Sequence, residues 1–448
     1  MERKNVLFLL IDCLRADACH GTSRQVCTPV LDALCHRGTV FTQAISVAGS
    51  TPVCMASLFT GMYPFVHGIR PLSINRFYLS TTKLNPDCRT LVEILRDSGY
   101  DTYATVTGPM LDVTDLHRGF QRYQYREKDD IYLHQGFGKG LTKLLSDLNS
   151  EKAPWFLFVH LWELHAPRQV SPEFNSARYG SNRYERAVSS LDLQLGEILK
   201  EVDFGSTLVV IHGDHGEGTR SPFEFLLHPM LHDRIGIKLM RLFYNVFFKW
   251  IHQYRSLQGA HGLNLFDDIV RVPLILIGPG IPEGRIIGKQ VSQVDIMPTL
   301  LDLLGMKADH RSSIHGRSLY PLITGEQWEE RPVYMEAYSG KSVSHRYLPM
   351  KWVGARFSAP PALVGIRTSQ WKCLWVPEDP RIRPELYDLK GDPSELKDLF
   401  TTRPEVTAEL QAHLSRIGGD GWPVEPHAGM TPEEQARVEK RLRELGYL

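Results

Sequence analysis

At 448 residues, with 42% hydrophobic, 23% charged and 10% aromatic side chains, the chain can build a large core plus a smaller satellite, and shows no disordered or fibrous bias. Lys plus Arg and Asp plus Glu both number 51, so no global field selects nucleic acid or an anionic membrane as partner. The 7 cysteines form no Cys-x-x-Cys pair, the first strand starts within about five residues, and no apolar run nears the ~20 residues of a membrane span; together these predict a soluble, reduced, cytoplasmic protein with no signal peptide.

The first strand reads as Val6–Ile11, a continuous apolar run ending in Asp12. Further strands are expected at Thr102–Thr107, Trp155–His160, Thr207–Ile211 and Pro273–Ile277. Helical stretches such as Leu91–Ser98 and Tyr184–Val202 lie between them. Unbroken apolar strands alternating with helices predict an α/β fold, a mostly parallel sheet covered by helices on both faces. From about residue 345 the texture changes to short strands bounded by turns: Val364–Arg367, Trp371–Trp375 and Glu385–Leu389. These predict a small antiparallel sheet, and Gly391-Asp392-Pro393 supplies its turn chemistry. The tail Thr431–Leu445 opens Thr-Pro-Glu-Glu, a helix start with threonine as N-cap. The division that follows is a catalytic α/β domain over 1–345 and an α+β subdomain over 346–448.

Ligands in open α/β sheets sit outside the carboxyl ends of the strands. Asp12 falls there, and so do Asp214 and His215 in Leu208-Val209-Val210-Ile211-His212-Gly213-Asp214-His215-Gly216. Two carboxylates and an imidazole on one rim call for a positive charge, which a divalent cation supplies. The insertion 219–260 reads differently. Leu239, Leu242, Phe243, Val246, Phe247, Trp250 and Ile251 fall on one helical face, with Arg241, Asn245, Lys249 and His252 opposite. A basic amphipathic helix over 236–252 can cover an active site, contact a membrane surface, form a homo-oligomer face, or simply pack on its own domain.

The run Thr51-Pro52-Val53-Cys54-Met55-Ala56-Ser57-Leu58-Phe59-Thr60-Gly61-Met62-Tyr63-Pro64 resembles the nucleophile segment of the sulfatase-like branch of the alkaline phosphatase superfamily. Ile11-Asp12-Cys13-Leu14-Arg15, Phe158–Pro167, Gly213–Glu217, His261-Gly262, Arg271–Leu274, Asp295–Thr299 and Leu386–Leu389 continue the resemblance in order over essentially the whole chain. True sulfatases carry Cys-x-Pro-x-Arg, whose cysteine becomes formylglycine. In register, Thr51 stands at the nucleophile, Met55 replaces the arginine, and Cys54 is out of place. Threonine cannot become formylglycine, but relatives with threonine here attack phosphorus with its hydroxyl. The competing reading makes Thr51 the cap of the following helix.

The resemblance implies metal ligation by Asp12, Thr51, Asp214 and His215, and a role for His165 and His261 in binding anionic oxygens or protonating a leaving group. His160, inside a strand pattern, reads equally as a core histidine. Cys13 stands where sulfatases usually have a second acid, and His215 replaces an amide. One fewer oxygen ligand and one more imidazole favour zinc or manganese over calcium, which stays open, as does a second metal site. Glu217 and Arg15 are expected to support the ligands, and Asp267 and Asp268 to fix backbone. The implied activity is hydrolysis of phosphate or phosphonate esters through a phosphothreonine, as in a phosphodiesterase or phosphonate monoester hydrolase, acting on a small anionic ester. The rivals are sulfuric ester hydrolysis, phospho-group transfer, and a silent binding protein with the same fold.

Overall fold

The computed structural model describes residues 3–20, 26–70, 82–110, 112–127, 130–166, 168–218, 262, 264–306, 314–337, 363–375, 383–418 and 431–444. The first strand, β1 (Asn5–Ile11), shows how the apolar runs are used. Side chains alternate across a strand, so Val6, Phe8 and Leu10 enter one core layer while Leu7, Leu9 and Ile11 enter the other. All six are fully buried, because helices cover both faces.

Seven further strands complete this sheet: β2 (Thr39–Ile45), β3 (Asp101–Val106), β4 (Arg122–Tyr125), β5 (Trp155–Leu161), β6 (Thr207–Gly213), β7 (Arg271–Ile277) and β8 (Arg285–Ser292). Their order is β4-β3-β5-β1-β6-β7-β2-β8. Only β7 runs antiparallel to its neighbours, so the sheet is mixed and mostly parallel, as expected. Strands β2, β4 and β8 add to the set that the apolar runs predict.

A second sheet is built from β9 (Val333–Ala337), β10 (Leu363–Arg367), β11 (Trp371–Trp375) and β12 (Glu385–Asp388), four antiparallel strands in the order β12-β11-β10-β9. Its first strand lies ahead of residue 345. The bridge from Ala48 to Glu336 and the Glu336 N–H donated to Val47 O at 2.8 Å join it to the loop after β2. The tail helix Pro432–Glu444 starts with Thr431 Oγ1 accepting from Glu434 N, as its opening residues predict. Among the described residues no helix is long and apolar enough to cross a membrane.

Candidate metal and nucleophile site

Register brings the site together. Ile11 pairs with Gly213 on one side and Leu161 on the other, so the residues following β1 and β6 emerge level at the carboxyl rim. Asp12 and Asp214 therefore face one another, both fully buried. Thr51 reaches the same rim from the loop after β2, as the first residue of the buried helix Thr51–Thr60. Ser50 holds the cap position of that helix, without a side-chain cap bond. The Thr51 hydroxyl donates instead to Asp12 Oδ2 at 3.2 Å and lies 3.5 Å from His215 Nε2.

The imidazoles are oriented by carbonyls. His215 Nδ1 lies 2.9 Å from Gly216 O, and His160 Nδ1 lies 3.2 Å from Thr107 O. A carbonyl only accepts, so each Nδ1 carries the hydrogen and each Nε2 keeps a lone pair in the neutral ring. His215 Nε2 is 3.5 Å from Asp214 Oδ2, and His160 Nε2 is 3.3 Å from Asp12 Oδ2. Both His160 Nε2 and Asp214 Oδ2 are buried without a hydrogen-bond partner. Electron-rich atoms in that arrangement call for a positive charge between them, a shared proton or a divalent cation. The ligand atoms of Asp12, His160 and Asp214 lie within 4.8 Å of one another, as do those of Asp12, Cys13 and His215. His160 is thus a candidate donor that the sequence leaves ambiguous; its one signal is its register with Leu10, beside the acid at the end of β1.

Electrostatics agree. Burial pushes the Asp214 carboxyl up, and the Asp12 charge pushes it further. Asp12 feels the same burial, yet a hydrogen bond from His160 and positive charge at His165 and His215, when these rings are protonated, hold it below the ordinary carboxylate range. Two carboxylates in one dry pocket split in this way, and a cation relieves both.

The surroundings fix these groups. Asp214 Oδ1 accepts from Cys13 N at 3.1 Å and His215 N at 2.7 Å. Ser46 Oγ donates to Asp214 O at 2.6 Å. Glu217 Oε2 lies 3.5 Å from Cys13 Sγ and 3.3 Å from Arg168 Nη2, while Arg15 donates to Glu217 O and to Asp17. Gly49 approaches the backbone of Gly262 so closely that a Cβ would stand 2.7 Å from its nitrogen. Cys54 is spent on structure: Sγ lies 3.1 Å from both Ser46 Oγ and Ala48 O, and burial pushes the thiol up to about 12. Met55 is buried in the core.

His165 is buried beside the pocket, with its ring stacked on Trp162 at 3.9 Å and Nδ1 against Ala166 O at 2.6 Å. His261 and the segment 219–260, including the 236–252 helix, lie outside the described residues. A cavity of about 560 Å³, lined by Gln43, Asp267, Arg271, Lys289, Arg367 and Lys390 among others, shares no residue with the pocket.

Fold and site together define a mixed α/β protein with a cation-ready pocket at the carboxyl rim of its sheet. A family model described as Sulfatase matches residues 4–306, and one described as N-sulphoglucosamine sulphohydrolase, C-terminal, matches residues 263–418. The chain belongs to the sulfatase family, and is a sulfatase-like hydrolase of ester bonds. Human arylsulfatase K is 27% identical over 449 residues, spanning 89% of this chain and 79% of that protein. The match to dog arylsulfatase K, also 27% identical, spans 52% of this chain and 36% of that protein. Two solved structures share the fold. The phosphonate monoester hydrolase of Agrobacterium radiobacter has a TM-score of 0.66 at 20% identity, covering 93% of this chain and 96% of that one. A protein in complex with its substrate D-glucosamine-2-N,6-O-disulfate has a TM-score of 0.67 at 16% identity, covering 95% of this chain and 100% of that one. Sulfatase-family enzymes use a divalent metal ion, and the donor set here fits one.

Proposed function

We propose that the chain hydrolyses a small anionic ester with Thr51 Oγ1 as the attacking atom. The observation that carries this reading is the placement of that hydroxyl, donated to Asp12 at 3.2 Å and 3.5 Å from His215 Nε2, instead of capping its own helix. Asp12, Thr51, Asp214 and His215, with His160, would hold the cation, zinc or manganese by donor type. When bound, it would neutralise the two carboxylates and favour the deprotonated hydroxyl.

Thr51 Oγ1, passing its proton to Asp12 Oδ2, attacks the central sulfur or phosphorus in line with the leaving oxygen. The bond to threonine forms as the bond to the leaving group breaks. The ten-residue helix that starts at Thr51 points its N-terminus at the developing negative charge. His165, as an imidazolium whose Nδ1 hydrogen is held by Ala166 O, gives its Nε2 proton to the leaving oxygen and becomes neutral. His261 shares this proposed role. A water, giving a proton to the now neutral His165, then attacks the same sulfur or phosphorus; the bond to Thr51 breaks and Oγ1 takes back the proton held by Asp12.

Relatives named arylsulfatase K support a sulfuric ester as substrate. A second reading, phosphate or phosphonate esters, is supported by Thr51 itself: its oxidation gives a ketone, so the aldehyde route of formylglycine sulfatases is closed to it. Both readings use the same nucleophile. The test is turnover of p-nitrophenyl sulfate, p-nitrophenyl phosphate and a phenylphosphonate ester with zinc or manganese, beside Thr51→Ala and Asp214→Asn. Both variants are expected to lose about 10³-fold or more in rate. Equal turnover in wild type and Thr51→Ala would end the proposal. The wild-type preference between sulfate and phosphorus esters selects the substrate class.

A further inference from the structure

We propose that Cys13 is a ligand of the cation through Sγ, beside Asp12, Asp214 and His215, so that the pocket takes a zinc-class ion with one sulfur in its shell. This rests on the metal reading of the site given above.

Adjacent residues of an extended strand face opposite sides. Cys13, immediately after Asp12, has φ of 61°, a conformation that side chains other than glycine rarely adopt. That turn folds the thiol back over the acid, with Sγ 2.8 Å from Asp12 Oδ1. The ligand atoms of Asp12, Cys13 and His215 lie within 4.8 Å of one another, a spread one cation spans. The backbone N–H of Cys13 is donated to Asp214 Oδ1 at 3.1 Å, which fixes the residue to the second carboxylate. An independent feature marks the same pocket: His160 Nε2 and Asp214 Oδ2, on fully buried residues, have no hydrogen-bond partner. Among the described cysteines, Cys13 is the one grouped with metal-ligating atoms, and it is fully buried.

The chemistry follows from donor type. A hard oxygen-only site suits calcium or magnesium, whereas thiolate and imidazole suit zinc. On binding, the S–H bond breaks, its proton passes to solvent, and the sulfur electron pair goes to the cation.

The test uses cobalt as a spectroscopic probe of the full chain after chelation. One equivalent of Co²⁺ should raise a sulfur-to-metal charge-transfer band in the near ultraviolet, and the zinc-loaded protein should show a sulfur scatterer at about 2.3 Å by X-ray absorption. Neither measurement needs a variant to fold. Cys13→Ser should lose the band and weaken zinc binding by more than the roughly 10- to 100-fold that an outer-shell partner costs. Cys13→Asp should bind cobalt without the band and gain affinity for calcium relative to zinc. Stoichiometric cobalt binding without the band in wild type, or a band that survives in Cys13→Ser, overturns the assignment while leaving the metal site standing. Failure of wild type to bind cobalt, zinc or manganese overturns the metal reading itself.

Discussion

His160 and His212 are both fully buried strand histidines with Nδ1 on a backbone carbonyl, and what separates them is the partner of Nε2. His212 Nε2 lies 3.1 Å from the Gln293 amide nitrogen, which donates to it. Burial then pushes this imidazole down to about 4, so it stays neutral and serves packing. His160 Nε2 instead meets Asp12 Oδ2 at 3.3 Å with no donor between them. A lone pair facing a carboxylate oxygen is repulsive unless a proton or a cation intervenes. His160→Ala is therefore expected to lower zinc affinity by roughly 10- to 100-fold, read by competition against a chromophoric chelator. An affinity equal to wild type would remove His160 from the donor set. The same comparison explains its ambiguity in the sequence: both histidines sit in apolar runs, and only register and the hydrogen-bond partner distinguish them.

At the scale of elements, the C-terminal sheet acts on the proposed nucleophile, Thr51, through the chain it grips. Strand β9 holds the loop after β2 by the Glu336–Val47 hydrogen bond, four residues before Thr51. Asp267, just ahead of β7, ties β10 and β11 to the main sheet: Arg367 Nη2 lies 2.8 Å and Lys372 Nζ 2.6 Å from its carboxylate. Lys372 also reaches Glu395 Oε1 at 2.8 Å and donates to Leu265 O at 2.9 Å, and its side chain is fully buried. Despite burial, Arg367 and Lys372 hold Asp267 below the usual carboxylate range. Asp267 thus ties strands together through side-chain ion pairs, where its sequence position led to the expectation that it fixes backbone. Lys372→Met would leave buried Glu395 and partly buried Asp267 facing each other with one cation gone. The expected cost is about 3–5 kcal/mol of unfolding free energy, measured by urea titration. A change below about 1 kcal/mol would show that this ion cluster contributes little to docking the sheet.

Across the whole molecule, the features legible in the sequence are those whose pattern is local. Strands β1, β5 and β6 are unbroken apolar runs because both faces are covered, and such runs by themselves put Asp12 and Asp214 at carboxyl ends of the sheet. Strand β8 is hidden because it is an edge: Ile286 is 73% exposed, and Gly288 and Lys289 interrupt the apolar pattern. Strand β2 mixes Thr39, Thr42 and Gln43 with apolar residues, and its partners β7 and β8 lie far along the chain. That distance has a thermodynamic consequence. The proposed donors come from residues 12, 13, 51, 160, 214 and 215, so no such cation site exists in the unfolded chain. A ligand that binds only the folded state stabilises it by mass action, about 2.7 kcal/mol at a free concentration one hundred times its Kd. Loading chelated protein with zinc or manganese should therefore raise Tm in a concentration-dependent way. Asp214→Asn should flatten that dependence, because it weakens the folded-state site. Identical melting of chelated and loaded wild type, at cation concentrations well above any plausible Kd, would mean that the two buried carboxylates are stabilised by protonation instead.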